Sequence, residues 1–212
     1  MLAALVPVAG CRTMRPAAPA PDLEAPLQAL FRIEYAGPRR GGSGRLTLRL
    51  WAEEDFLLEL RDPLGRVRWS VRSTADGAWL AESDADRYCR LTPGAVLAVT
   101  GWGDLTLRRL PRVLLGEPPI AGLRAGTVET VTPEGRWRFE WREGRLEQWG
   151  FWRQARPGVW WRREEGGGVL SSARGEQLRW RERVREAMEA PPPSAAPPPS
   201  ARETSCEQLA VS

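Results

Sequence analysis

From residue 45 onward the chain alternates apolar and polar side chains with a period of two. Arg45-Leu46-Thr47-Leu48-Arg49-Leu50 alternates, and Asp55-Phe56-Leu57-Leu58-Glu59-Leu60 follows it closely. Arg66-Val67-Arg68-Trp69-Ser70-Val71-Arg72 is cleaner. Arg136-Trp137-Arg138-Phe139-Glu140-Trp141-Arg142 puts its aromatic rings on one side and its charges on the other, and Leu178-Arg179-Trp180-Arg181 repeats the pattern near the end. Successive side chains of a strand point to opposite faces, so this period predicts half-buried strands. Turn residues punctuate them at Gly77, Gly135, Gly144, Pro157-Gly158, Gly166-Gly167-Gly168 and Gly175. The expected fold class is mainly β: a meander of antiparallel strands with one wet and one apolar face.

The alternation breaks between Pro93 and Gly116, a stretch that reads as two short helices. Pro93 suits a first helical turn and Asp104 suits an N-cap. A third helix is expected near Leu23–Leu30. An apolar sheet face needs a cover, and these helices are the expected lid over a curved sheet.

The ends of the chain differ from this body. Residues 1–10 are apolar and end in Val8-Ala9-Gly10-Cys11, which resembles the lipobox cut by bacterial signal peptidase II, although no Lys or Arg precedes Cys11. On that reading 1–10 is a lipoprotein signal peptide and Cys11 is the lipidation site. A Pro/Ala-rich tether then runs over 11–26. The folded domain is expected over 27–186, and 187–212, with its Pro191-Pro192-Pro193 and Pro197-Pro198-Pro199 runs, is expected as a disordered tail. Two or three acyl chains on one Cys make an effectively permanent anchor.

Composition removes several chemistries. There is no His, so Ser-His-Asp and Cys-His catalysis are excluded. Cys11, Cys89 and Cys206 are scattered, so no metal site of ordinary zinc spacing is expected, and no cofactor. In an oxidising periplasm Cys89 and Cys206 have the chemistry to pair, but the tail around Cys206 weighs against it. All 31 basic residues are Arg, and they are spread along the strands under a net charge of +4. That spread reads as a solvated face, so nucleic acid is not expected as a partner. Glu53, Glu54 and Asp55 are adjacent carboxylates, better explained by a charged strand edge or turn than by acid–base catalysis. No enzymatic activity is expected.

Two features carry more information. Asp62-Pro63-Leu64-Gly65 joins two strands as a tight turn, with Leu at a position where turns usually carry polar residues. A Leu at the tip of a membrane-anchored protein can dip into a bilayer, contributing about 1.5–3 kcal/mol, enough for a transient touch. The chain also has 11 Trp, and Trp51, Trp69, Trp79, Trp137, Trp141, Trp149, Trp160 and Trp180 fall in alternating strands. They either fill the core or line an apolar ligand cavity.

Taken together, these residues resemble the LolB family of outer-membrane lipoprotein receptors, within the LolA/LolB-like superfamily. Cys11 matches the family's lipid anchor. Leu58 to Gly65 looks like the family's strand and Pro-Leu-Gly hairpin, with Leu64 on its protruding leucine and Pro63 and Gly65 flanking it. Thr100-Gly101-Trp102-Gly103-Asp104-Leu105, with Leu110, Leu114, Leu115 and Gly116, resembles the family's helical segment. Pro111 departs from it and is expected to kink or shorten the second helix. The Pro-rich C-terminal extension departs as well.

The resemblance implies an open half-barrel covered by helices over an acyl-chain cavity. The cavity would be lined by Leu48, Leu58, Trp69, Trp137, Phe139 and Trp141, with Leu105, Leu110 and Leu114 in the lid. It implies a monomer facing the periplasm on the outer membrane. Its partners would be acylated lipoproteins, a LolA-like periplasmic carrier and the inner leaflet of the outer membrane, into which the clients are inserted. The alternative is a non-transferring lipid-binding or scaffold lipoprotein of the cell envelope.

Overall fold

The computed structural model describes residues 25–38, 41–91, 96–97, 102–120, 125–189, 191–206 and 209. Cys11 and most of the expected tether lie outside the described residues. Two antiparallel meanders make up the sheet. The first runs β1 (Leu27–Ala36), β2 (Gly41–Ala52), β3 (Asp55–Arg61), β4 (Val67–Thr74), β5 (Gly77–Glu82) and β6 (Arg87–Leu91). After β7 (Val96–Leu97), β8 (Trp102–Thr106) and the helix α1 (Leu110–Leu114) comes the second meander. It consists of β9 (Thr127–Thr132), β10 (Gly135–Arg142), β11 (Arg145–Arg153), β12 (Arg156–Glu164), β13 (Gly167–Ser172) and β14 (Gln177–Ala187). The ends of the two meanders meet where β1 pairs with β14, Leu27 opposite Ala187 and Ala36 opposite Gln177. The result is one large, open, curved sheet, as the alternation predicts.

The period of two decides which side chains turn inward. Cross-strand partners share a face, so the register Phe31↔Leu46↔Leu60↔Trp69 and Ala29↔Leu48↔Leu58↔Val71 sets a continuous inner face on the first meander. On the second, Phe139↔Trp149↔Trp161↔Leu170 does the same. The inner residues of both meanders and those of the connection between them form one core. Each fully buried Leu or Phe there contributes about 1.5–3 kcal/mol.

The connection departs from the expected two helices. Trp102–Thr106 is strand β8, pairing with β7 (Val96↔Thr106, Leu97↔Trp102), so Leu105 is a strand residue and Asp104 caps no helix. A single turn of 3-10 helix, Leu107–Arg109, leads into α1. Pro111 does not kink α1. It sits in the first turn, where its missing N–H has no intrahelical partner to lose. The expected helix near Leu23–Leu30 is also corrected: Leu27 to Leu30 begin β1, because Leu27, Ala29, Phe31 and Ile33 turn inward while β2 and β14 take the backbone groups. Residues 92–95, 98–101 and 121–124 lie outside the described residues.

The sequence predicts a disordered tail over 187–212. Its described residues instead lie against the first meander. β15 (Arg202–Glu203) pairs in parallel with the edge strand β6, and Thr204 N–H donates to the Tyr88 carbonyl at 2.8 Å. Upstream, Trp79 Nε1 donates to the Ala195 carbonyl (3.0 Å) and Arg72 Nη2 to that of Pro193 (3.4 Å). A polyproline segment presents free carbonyls because it has no internal hydrogen bonds, and the outer-facing Trp79 and Arg72 supply donors. Cys89 and Cys206 form a disulfide that fastens the end of this strap. β15 also covers an edge that would otherwise expose unpaired backbone groups.

Candidate functional site

The β3–β4 turn is an organised, exposed tip. The Asp62 carboxylate accepts the backbone N–H of Leu64 (2.9 Å) and of Arg66 (3.0 Å) and the Arg66 Nε–H (2.8 Å). Gly65 N–H donates to the Asp62 carbonyl, and Gly65 takes φ +84°, a conformation that favours glycine. Desolvation opposes the charged form of Asp62. The hydrogen bonds from Arg66 and Leu64 outweigh it, so the carboxyl lies below its usual value. This polar scaffold leaves Leu64 79% exposed, among the few large hydrophobic side chains that reach solvent. Arg61 and Arg66 flank it; Arg61 Nη1 donates to the Gly65 carbonyl (3.1 Å).

Beneath the other end of the sheet lies the lid, Leu105 to Gly116. Leu105, Leu107, Val113 and Leu114 are buried in the core, and Leu110 is half-buried against it. Helix α1 ends as a short apolar helix should. Gly116, at φ +76°, donates its N–H to the Val113 carbonyl, and Glu117 N–H reaches back to Arg112, a Schellman closure. The next three carbonyls take side-chain donors from the sheet. Trp180 Nε1 donates to Leu114 (3.0 Å), Arg185 Nη2 to Leu115 (3.3 Å) and Arg163 Nη2 to Gly116 (3.2 Å).

The opposite side of the lid is tied to the β2–β3 turn. Arg112, itself almost fully buried, grips Glu53 through two hydrogen bonds of 2.7 and 3.0 Å, and Arg108 meets Glu54 at 2.9 Å. The hydrogen bond from Arg112 holds the Glu53 carboxyl below its ordinary value near 4.5. Glu53 and Glu54 are therefore partners of the lid, in the turn where the sequence placed them.

The expected cavity residues do come together. Leu48, Leu58, Trp137 and Phe139 are fully buried, while Trp69 and Trp141 are partly buried against the same core. They are packed side by side with the lid. Two grooves lie elsewhere. One of about 580 Å³, on the outer face, includes Gly150, Trp152 and Trp160. The other, of about 650 Å³, lies at the rim beside Leu115 and Gly116.

Register, more than composition, decides which Trp face inward. Trp160 faces out and is 43% exposed, whereas Trp161 is buried next to Trp149. Trp79 likewise faces the strap. Trp161 has room because Gly168 lies beneath it: a Cβ there would come within 2.2 Å of Trp161 Nε1. Sequence reasoning missed the latch residues Arg108, Arg112, Arg163 and Arg185. The available signal was a lid segment rich in Arg facing an acidic turn.

No family model matches the sequence, and no curated protein matches it. Among solved structures the chain is similar to a DUF1329 family protein from Desulfovibrio piger, with a TM-score of 0.52 and 12% identity, covering 76% of this chain and 85% of that one. The two share a fold. The chain is also similar to a LolA superfamily protein from Nitrosomonas europaea, with a TM-score of 0.47 and 11% identity over 78% of this chain and 87% of that one. A putative outer membrane lipoprotein-sorting protein domain from Vibrio parahaemolyticus is similar at a TM-score of 0.42 and 8% identity, over 76% and 84%.

Proposed function

We propose that this protein is a LolB-like lipoprotein of the outer membrane, anchored through Cys11. It accepts acylated lipoproteins from a LolA-like periplasmic carrier and inserts them into the inner leaflet. The observation that carries this reading is Leu64: a large apolar side chain almost wholly exposed on a turn that its neighbours hold rigid. Leu64, with Pro63 and Gly65, would meet the bilayer. The inner-face residues Leu48, Leu58, Trp69, Trp137, Phe139 and Trp141 would receive acyl chains once the segment carrying Leu105, Leu110 and Leu114 lifts.

No covalent chemistry is needed. The lid is held by its buried apolar side chains and by polar latches to carbonyls and to one acidic turn, so lifting it exposes polar groups that water can satisfy and an apolar side that needs a new cover. The lid's apolar side is then replaced by acyl chains, and transfer runs toward whichever environment buries those chains better. A membrane that accepts all of a chain's methylenes gains about 0.8 kcal/mol for each one.

Leu64→Glu tests the reading. It should leave fold and lipoprotein binding unchanged and block release into vesicles. Unchanged release would remove the tip's role. A second reading, a lipid-binding or scaffold lipoprotein that transfers nothing, is favoured by one observation: the expected cavity residues are packed against the lid. Mass spectrometry of ligands co-purifying with the protein separates the two, since a transferring receptor should carry acylated lipoprotein.

A further inference from the structure

The inner face is chemically divided. On β2, β3 and β4 it presents mainly aliphatic side chains such as Leu48, Leu58 and Val71, interrupted on β4 by Trp69 and by the buried Ser73, whose hydroxyl has no partner. On β10, β11 and β12 it presents Trp137, Trp141, Trp149 and Trp161. An indole N–H is a donor only, and a buried one ordinarily has an acceptor. Trp180 follows that rule through the Leu114 carbonyl. The Nε1 atoms of Trp137, Trp141, Trp149 and Trp161 do not: all four are buried without an acceptor.

These groups lie in one patch. The rings of Trp137 and Trp149 are 5.5 Å apart, Trp149 pairs directly with Trp161, and the Arg109 guanidinium of the lid sits 5.1 Å above the Trp137 ring. Arg109 reaches Glu134 through Nη2 at 3.5 Å, while its Nη1 is buried with no acceptor. Burial pushes the Arg109 pKa down from its usual value, and the Glu134 carboxylate offsets this only in part. The wall thus offers four unmet indole donors and a guanidinium that Glu134 meets on one side only. A pure hydrocarbon would leave every one of these donors unmet.

Resting on the acyl-lipid reading of the inner face, we propose that the Trp137–Trp149–Trp161 wall and Arg109 form a head-group subsite. It takes the carbonyl or carboxylate oxygens of an acyl lipid, while the aliphatic wall of β2–β4 takes its chain. A free fatty carboxylate and an acyl ester share this acceptor chemistry, and they differ in charge.

The test uses the full chain stripped of lipid, with dodecanoate, methyl dodecanoate and dodecane as ligands of matched length. Binding is followed by native mass spectrometry, and indole N–H hydrogen bonding by ultraviolet resonance Raman spectroscopy. Both oxygen-bearing ligands should bind at least tenfold tighter than dodecane and shift the indole N–H band. Arg109→Gln should weaken dodecanoate about tenfold and Arg109→Lys should restore most of it. An equal loss for the ester assigns the head to a carbonyl, and a selective loss for dodecanoate assigns it to a carboxylate. Dodecane binding as tightly as dodecanoate, or an unmoved indole band on binding, overturns the subsite and leaves the acyl reading standing. If none of the three binds, the acyl reading itself fails.

Discussion

The two walls of the inner face share a backbone plan and differ in almost everything attached to it. On β2–β4 the inward residues are mainly aliphatic or Phe, with Trp69 and Ser73 on β4, and the unmet group among them is the Ser73 hydroxyl rather than an N–H. On β10–β12 they are largely Trp with orphaned donors, bordered by Arg109 and Arg163. The latches that hold the lid differ in the same sense. The first wall uses an acidic turn, Glu53 and Glu54, against Arg112 and Arg108. The second wall uses neutral carbonyls at and just past the C-terminal end of α1: Arg163 grips that of Gly116, and the neighbouring β14 adds Trp180 to Leu114 and Arg185 to Leu115. The difference teaches that a sheet can place stability on one side and unmet binding capacity on the other. Unmet donors lower stability, so the Trp wall is the costlier of the two to bury.

Substitutions should separate the walls. Leu58→Ala removes a fully buried aliphatic side chain and should cost about 2–5 kcal/mol in urea denaturation. On the other wall, Trp149→Phe also loses volume, but it removes an orphaned N–H whose burial costs about 1–3 kcal/mol. Its net loss should stay below about 2 kcal/mol, although the same number of heavy atoms is deleted. Equal losses at the two positions would erase the distinction.

The walls also differ on their outer faces. The strap covers β4–β6, whereas among the described residues the outer face of β10–β12 opens into the groove around Gly150 and Trp160. Cys206→Ser should therefore destabilise the protein by about 2–4 kcal/mol. Hydrogen exchange should rise in β4–β6 and stay unchanged in β10–β12; a uniform rise would contradict the local role of the strap.

A smaller effect concerns pH. The folded Glu53 carboxyl titrates below its ordinary value near 4.5, so its contribution is complete above that value and is lost as pH falls through the lowered one. Acid should loosen the lid at its Arg112 side while the carbonyl latches on the other side remain. Glu53→Gln should remove this pH step from lid hydrogen exchange.

The sequence made the strands, the tip and the inward placement of Leu48, Leu58, Trp137 and Phe139 legible, because each follows from local alternation or turn chemistry. Three features were not legible, and each depends on distant partners. Leu27 to Leu30 fits a helix as easily as a strand until β14, some 150 residues away in sequence, supplies the ladder. Trp160 and Trp161 are adjacent, and the bulge between Phe151 and Trp152 helps set the register that turns Trp161 inward. The Pro-rich segment has no core of its own. It is placed by Trp79, Arg72 and Cys89, which lie on the meander it crosses.

On the proposed function, the inner face becomes an acyl-lipid site when the lid lifts. Hydrogen exchange of the full chain with and without a synthetic triacylated lipopeptide tests it most directly. Exchange should quicken in 107–116 as the Arg163, Arg185 and Trp180 latches open, and slow in β10–β12 where the ligand sits. Saturating lipopeptide that leaves both segments unchanged would contradict it.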